Sequence, residues 1–148
     1  MFDLADLYQQ LILDHNRSPR NHGRLDGAGR RSEGYNPLCG DRVTVYLALD
    51  GEVISDVAFE GVGCAISTAA ASLMTEAVKG KTMSEATALF ERFRAMVTGD
   101  ADHGDESLGK LDAFAGVRNY PARVKCATLV WHTLKAAIDA EDEVVTTE

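Results

Sequence analysis

The chain has 148 residues, an ordinary hydrophobic fraction of 45% and a formal net charge of −8. This length suits one core, and we expect a single domain over residues 1–148. The acidic balance, without a long basic run, disfavours nucleic-acid binding, which needs clustered cations. No apolar run approaches a membrane span, and the acidic start "MFDLADLYQQLILDH" is unlike a signal peptide, so we expect a cytoplasmic protein.

The N-terminal region predicts one helix followed by irregular chain. Apolar residues recur at helical spacing over residues 3–15, which indicates an amphipathic helix. Pro19 and Gly23 in the following "NRSPRNHG" end that helix. A polar, glycine-rich stretch continues to Gly34, and residues 30–36 are a candidate for a third strand beside the two that follow.

Two segments rich in β-branched and aromatic residues, 42–50 and 52–61, predict an antiparallel hairpin. Asp50 and Gly51 lie between them, a pair typical of tight hairpin turns. Alternation predicts that the core-facing side chains are Val43, Val45, Leu47 and Leu49 on the first strand and Val53, Val57 and Phe59 on the second.

The rest of the chain has a helical pattern. The alanine-rich residues 64–80 predict a helix that ends at Gly80. Thr82 and Glu85 have the spacing of a capping box ahead of a second helix over residues 86–97. An acidic loop follows over residues 98–109.

A short helix over residues 110–117 and a final helix that begins at Pro121 complete the pattern. The buried stripe of the final helix is predicted to contain Ala127, Val130, Trp131, Leu134 and Ile138. Together the elements predict an α+β fold, in which a small antiparallel three-stranded sheet packs against about five helices.

The three cysteines, Cys39, Cys64 and Cys126, each lie at a junction of predicted elements. An odd number of cysteines in a cytoplasmic chain argues against a disulfide framework, and their spacing fits neither a CxxC pair nor a zinc finger. Cys64 and Cys126 come near predicted helix N-termini, where unpaired N–H groups favour the thiolate that binds metal or attacks sulfur. The alternative is that each thiol is a small core hydrophobe, although the neighbouring glycines and proline are untypical of core segments.

Asp41 is a candidate to complete a site with the cysteines. Three thiolates leave one position of a tetrahedral zinc site open. Asp41 follows Cys39 by two residues, and Gly40 between them allows a tight turn that would point both side chains the same way. The alternative is that Asp41 caps the turn or faces solvent. Each of the four histidines could bind metal, but a role other than metal ligand is favoured for His15, His22, His103 and His132, and solvent exposure is expected for His103.

At these residues the sequence resembles a known family. "NPLCGD", "FEGVGCAISTAAASLMTE" and "YPARVKCATLVWHTL" are similar to the three cysteine motifs of the SufU proteins, within the IscU-like superfamily of iron–sulfur cluster assembly factors. The start "LYQQLILDHNRSPRNHG" also resembles that family, so the likeness covers residues 4–138. Lys125, where the IscU scaffold branch typically has histidine, and an apparent insertion over residues 90–107 favour SufU over IscU.

The resemblance implies an IscU/SufU-like fold with one zinc per chain, held by Cys39, Asp41, Cys64 and Cys126. It implies a zinc-dependent sulfurtransferase in which Cys39 leaves zinc and takes the outer sulfur of a persulfide on a SufS-type cysteine desulfurase. The sulfur then passes to a downstream iron–sulfur scaffold. Pyridoxal phosphate belongs to the desulfurase, and this sequence shows no site for it.

Two alternatives to the sulfurtransferase remain open from the sequence. One is a scaffold that binds a [2Fe–2S] cluster on the same cysteines, and the other is a non-catalytic interaction module stabilised by zinc. Arg123 and Lys125 also have two interpretations. Cations beside a thiolate cluster would lower its net charge and favour a persulfide anion, or the two side chains are merely solvated at the start of the last helix.

Overall fold

The computed structural model describes residues 4–37, 40–98, 106–139 and 145–146. Its elements in chain order are α1 (Leu4–Arg17), β1 (Arg30–Asn36), β2 (Asp41–Asp50), β3 (Val53–Val62), α2 (Ala65–Val78), α3 (Met83–Thr98), a 3₁₀ segment (Glu106–Asn119), α4 (Pro121–Ile138) and β4 (Val145–Thr146). The predicted α+β class with an antiparallel three-stranded sheet is confirmed, and β1 is the candidate third strand. Within these described ranges the helices are four α-helices and the 3₁₀ segment, against about five predicted helices.

The sheet has the strand order β3-β2-β1-β4. β2 lies between β1 and β3 and pairs antiparallel with both, while β4 adds two residues parallel to β1. α4 packs against β1 and β2, α2 packs against β3, and α1 packs against α2. Among the helices in the described ranges, none combines the length and apolar character needed to cross a membrane.

The predicted alternation along β2 is confirmed. Val43, Val45 and Leu47 are buried, and Leu49 is partly buried against the same core. On the partner strand β3, Val57 and Phe59 are also buried as predicted. The side chains of β2 that lie between these residues therefore face the other side of the sheet.

The prediction for Val53 is wrong, because Val53 is 37% exposed whereas Ile54 is 0% exposed. The pairing of β2 with β3 shifts in register at this end: Ala48 pairs with Asp56, but Leu49 pairs with Ile54. One additional residue on β3 reverses the inward and outward alternation beyond that point. Strict alternation could not anticipate this bulge.

The predicted short helix over residues 110–117 lies within the longer 3₁₀ segment. The buried side chains of that segment recur at every third residue: Leu108, Leu111, Phe114 and Val117. Gly109 has non-helical backbone angles (φ +52°, ψ −123°) and interrupts the segment after Leu108. Beyond it, three residues per turn place Leu111, Phe114 and Val117 on one face, whereas an α-helix would spread them around the axis. The period of three over Leu111, Phe114 and Val117 therefore favours a 3₁₀ helix over an α-helix in this part of the segment.

The capping box before α3 is confirmed. The backbone N–H of Thr82 donates to Glu85 Oε1 at 3.0 Å, and the N–H of Glu85 donates to Thr82 Oγ1 at 3.1 Å. The hydrogen bond from the Thr82 backbone is the main cause that lowers the pKa of Glu85. The buried stripe of α4 is also confirmed, with Ile138 partly buried at its end and Trp131 stacked on Phe93 at a centroid distance of 5.2 Å.

A buried polar network joins α1 to α2. His15 Nδ1 lies 2.6 Å from Ser72 Oγ, and the same hydroxyl accepts the Arg20 backbone N–H at 2.8 Å. The hydroxyl of Ser72 can therefore donate its hydrogen to His15 Nδ1. On the other side of the ring, His15 Nε2 lies 3.5 Å from Glu76 Oε1. This arrangement suits a neutral imidazole that carries its proton on Nε2. His15 thus has a structural role in joining the two helices.

This network makes stability depend on pH. Burial is the main cause that lowers the pKa of His15; Arg20 and Lys110 act in the same direction, whereas Glu76 and Asp14 oppose it. The unfolded chain then binds a proton that the folded chain does not. The stabilising contribution is complete above the unfolded pKa, about 6.5, and is lost progressively as the pH falls towards the lower folded value.

We expect the free energy of unfolding, measured by urea denaturation between pH 7.5 and 5.5, to fall below about pH 6.5. The contribution of His15 is at most about 1.4 kcal/mol per pH unit. His15→Gln should reduce this slope, whatever its effect on absolute stability, whereas His22→Gln, at an exposed histidine, serves as the control. Equal slopes for His15→Gln and the wild type would show that His15 does not couple folding to protonation.

Candidate functional site

Asp41, Cys64 and Cys126 meet at one end of the sheet. One ligand atom from each, a carboxylate oxygen and two thiol sulfurs, all lie within 4.8 Å of one another. Asp41 and Cys126 are buried and Cys64 is partly buried, and both cysteines are in the reduced, thiol form. Ligands of one tetrahedral zinc lie roughly 3–4 Å apart, so a small adjustment of these side chains would let all three reach one ion.

Asp41 is the first residue of β2, and its carboxylate points toward the two thiols. Oδ1 accepts the backbone N–H of Cys64 at 3.0 Å. Oδ2 is buried and has no hydrogen-bond partner among the described residues. A buried carboxylate oxygen without a partner is costly, and a bound cation would offset that cost. The donor set therefore fits a metal ion better than it fits an empty core.

Cys64 occupies the N-cap of α2. Its Sγ accepts the backbone N–H of Ser67 at 3.4 Å, so the first turn of the helix directs a donor at the sulfur. The N–H donor and the positive end of the helix dipole therefore both face this sulfur. A Cβ at Gly63 would come within 3.0 Å of Asp41 Oδ1 and 2.9 Å of Ser67 Oγ. The absence of a side chain at this position lets the carboxylate approach Cys64.

Cys126 lies within α4 rather than at its start, because the helix begins at Pro121. Its thiol is therefore beyond the first turn, and the expected influence of the helix N-terminus applies to Cys64 more than to Cys126. The amide Nδ2 of Asn36, also buried, lies 4.0 Å from Cys126 Sγ. Sequence reasoning did not single out Asn36, although it opens the "NPLCGD" motif.

The two predicted basic residues occupy different positions relative to the thiols. The Arg123 guanidinium lies beside both: the charge of Cys64 is the main cause that raises the pKa of Arg123, and hydrogen bonding to Cys126 comes next. Lys125 is partly exposed on α4, immediately before Cys126. Successive helical residues point about 100° apart, so Lys125 and Cys126 project in different directions.

Cys39, the first of the three predicted cysteines, lies outside the described residues, as does His103. The residues on either side of Cys39 are described. The N–H of Gly40 donates to Asn36 O at 2.8 Å, and Asn36 and Asp41 are paired across β1 and β2. Gly40 has a φ of +72°, a left-handed conformation that favours glycine. In the part of the chain that the structure describes, the donor cluster contains no histidine.

Comparison with known sequences identifies related proteins. Residues 7–127 match the family described as NifU-like N terminal domain. The chain is 44% identical to the iron–sulfur cluster assembly scaffold protein IscU of Streptococcus pyogenes serotype M1, over 91% of this chain and 84% of that protein. It is 41% identical to the zinc-dependent sulfurtransferase SufU of Bacillus subtilis strain 168, over 95% of each.

Comparison with solved structures gives the same fold. The structure named FiSufU, from Fervidobacterium islandicum AW-1, superposes with a TM-score of 0.83 at 40% identity, over 92% of this chain and 99% of that chain. The N-terminal part of a NifU-like protein from Brucella abortus superposes with a TM-score of 0.83 at 27% identity, over 95% and 99% of the two chains. The IscU/SufU-like fold predicted from the sequence is therefore confirmed.

Proposed function

The chain belongs to the family of the NifU-like N-terminal domain, and from this membership we propose that it is a zinc-dependent sulfurtransferase in iron–sulfur cluster assembly. It accepts the outer sulfur of a persulfide on a SufS-type cysteine desulfurase and passes that sulfur to a downstream iron–sulfur scaffold. The name of the Bacillus subtilis relative supports this activity. The observation that carries the proposal is the cluster of two thiols and a buried carboxylate whose Oδ2 has no partner among the described residues.

One zinc per chain would be held by Cys39, Asp41, Cys64 and Cys126. Bound zinc would keep the thiols deprotonated at neutral pH without taking part in redox chemistry. The described donors supply three ligands, and two residues of chain limit Cys39 Cα to about 7 Å from Asp41 Cα. Cys39 is therefore within reach of the fourth position.

Cys39 is the proposed sulfur acceptor. Its thiolate attacks the outer sulfur of the donor persulfide, a new S–S bond forms on Cys39, and the S–S bond of the donor breaks. The donor cysteine leaves as a thiolate, and the transferred sulfur keeps its proton until solvent removes it and a persulfide anion forms. No oxidant or reductant is needed. Gly40, the next residue, is exposed and leaves room for a protein partner to approach.

The chain's own residues stabilise the sulfur anions of this site. The Ser67 N–H donates to Cys64, and the Arg123 guanidinium lies against Cys64 and Cys126. A cation beside these sulfurs makes the net charge of the cluster less negative, which favours a persulfide anion formed next to them. Lys125 adds a second positive charge on α4 one residue from Cys126, at longer range.

The alternative function is a scaffold on which a [2Fe–2S] cluster is assembled by the same cysteines. The IscU names of the Streptococcus pyogenes and Thermotoga maritima relatives, at 44% and 41% identity, favour it. Lys125 counts against it, because an ammonium group has no lone pair for iron while it is protonated. The fourth ligand of such a cluster would then have to be Asp41.

The test measures metal content and sulfur acceptance on the same preparation. Elemental analysis should find about one zinc per chain. The protein is then mixed with a SufS-type desulfurase and cysteine labelled with radioactive sulfur, and alkylated for mass spectrometry. Labelled persulfide on this chain supports the proposal. Iron with sulfide and visible absorption supports the scaffold, and zinc without sulfur acceptance supports a non-catalytic interaction module.

A further inference from the structure

We propose that the row formed by Tyr35, Arg42 and Val62 on the open face of the sheet docks the sulfur-donating protein, by receiving an acidic and apolar segment beside the donor's persulfide. This inference rests on the proposed function and adds the surface that the partner would use. The three residues lie side by side on three strands, since Arg42 pairs with Tyr35 of β1 and with Val62 of β3.

The row lies next to the thiols but on the other side of the sheet. Asp41 is buried and faces the helices, so Arg42, the next residue of β2, points to the opposite face. Val62 precedes Cys64 by two residues at the end of β3. A protein that delivers sulfur to Cys39 at this end of the sheet would therefore also contact the row, which contains none of the proposed metal ligands.

The row is exposed and apolar at one end. Val62 is 67% exposed, the largest exposed fraction among the large hydrophobic residues described. Farther along the same face, Tyr46 and Ala58 are buried and Arg24, from the chain before β1, interacts with Tyr46, so the centre of that half is covered while Arg31 at its edge stays exposed. The half that stays open is the one beside the thiols, which argues for a partner at this end.

The charge of the row defines the partner. The Arg42 guanidinium lies 4.8 Å from the centre of the Tyr35 ring, which holds it in place by a cation–π contact. Among the described residues no carboxylate pairs with it: Glu33 pairs with Arg31 at 2.6 Å, and Glu60 accepts the Tyr46 hydroxyl. Glu33 and Glu60 lie in the next row of the same face, but among the described residues neither forms an ion pair with Arg42. A positioned guanidinium without a paired carboxylate there, in a chain of net charge −8, suits a carboxylate supplied by another protein.

Two matched pairs of variants test the row. Arg42→Glu is compared with Arg31→Glu, which makes the same change in net charge at an exposed arginine farther along the same face. Val62→Ser is compared with Val53→Ser, at the exposed residue that begins the same strand. Affinity for a SufS-type cysteine desulfurase is measured by calorimetry at low and high salt, with metal content measured for every variant.

We expect Arg42→Glu to raise the Kd about tenfold at low salt and less at high salt, since exposed charges are screened. Val62→Ser should raise the Kd about threefold, because less apolar surface is buried on binding. Both controls should stay within about twofold of the wild type, and all four variants should keep the wild-type metal content. Equal losses for Arg42→Glu and Arg31→Glu, or wild-type binding by Arg42→Glu, would refute the docking row.

The outcomes separate the two proposals. A wild-type chain that binds the desulfurase through the row yet accepts no sulfur would refute the proposed sulfur transfer and leave the docking surface standing. If the wild-type chain accepts sulfur normally, and Arg42→Glu and Val62→Ser bind the desulfurase as tightly as the wild type does, the docking row alone is refuted. A wild-type chain that shows no binding to the desulfurase at all would refute both.

Discussion

Replacement of Cys39 by serine is expected to abolish sulfur acceptance from a cysteine desulfurase, with a loss of at least about 100-fold in the initial rate. A serine hydroxyl stays protonated at neutral pH, and its oxygen cannot form a persulfide. The measurement is the rate at which labelled sulfur appears on this chain under single-turnover conditions. Far-ultraviolet circular dichroism of the same preparation verifies that the variant is folded.

Cys64→Ser is the matched control for this experiment. A serine at the N-cap of α2 can still accept the Ser67 N–H, so the helix should remain capped. This variant should lose metal while keeping the thiol of Cys39, which separates the effect of the acceptor from that of the site. A Cys39→Ser protein that accepts sulfur at the wild-type rate would assign the acceptor role to another thiol.

Removal of the Asp41 carboxylate should have the largest effect on metal binding. Asp41→Ala is expected to weaken zinc affinity at least about 100-fold, because it deletes the buried carboxylate that we propose as a ligand beside two thiols. It also leaves the Cys64 backbone N–H without its acceptor, at a cost of about 1–3 kcal/mol in the free energy of unfolding. Competition with a chromophoric chelator measures the affinity, and urea denaturation measures the stability.

Asp41→Asn distinguishes these two effects. The asparagine oxygen can still accept the Cys64 N–H, but the side chain is neutral and is a poorer zinc ligand. We expect the stability of metal-free Asp41→Asn to exceed that of Asp41→Ala, while its zinc affinity stays well below that of the wild type. Wild-type zinc affinity in both variants would exclude Asp41 as a ligand.

Local rules predicted much of the fold because they act within a few residues. The capping box needs only Thr82 and Glu85, and the buried stripe of α4 follows from the turn of one helix. The error at Val53 has a different origin. The bulge depends on how β3 pairs with β2, a relation between two strands that the alternation of one strand does not encode.

The candidate site shows the same division between local and tertiary information. Asp41 was a candidate because Cys39 and Gly40 precede it. The expectation that Cys64 and Cys126 lie close to Asp41, as they do, rested only on their positions at element junctions and on the family resemblance. The contact of Asn36 with Cys126 and the position of Arg42 over Tyr35 depend on strand register. No spacing within the chain predicts those contacts, since each joins residues from separate elements.

The position of the donors on three elements links metal occupancy to the order of folding. Asp41 and Cys64 are 23 residues apart, and Asn36 and Cys126 are 90 residues apart. Closing loops of that length costs conformational entropy, which the packing of the hydrophobic core must offset first. A metal ion bound by these residues would therefore be a late cross-link, and we expect it to slow unfolding more than it speeds folding.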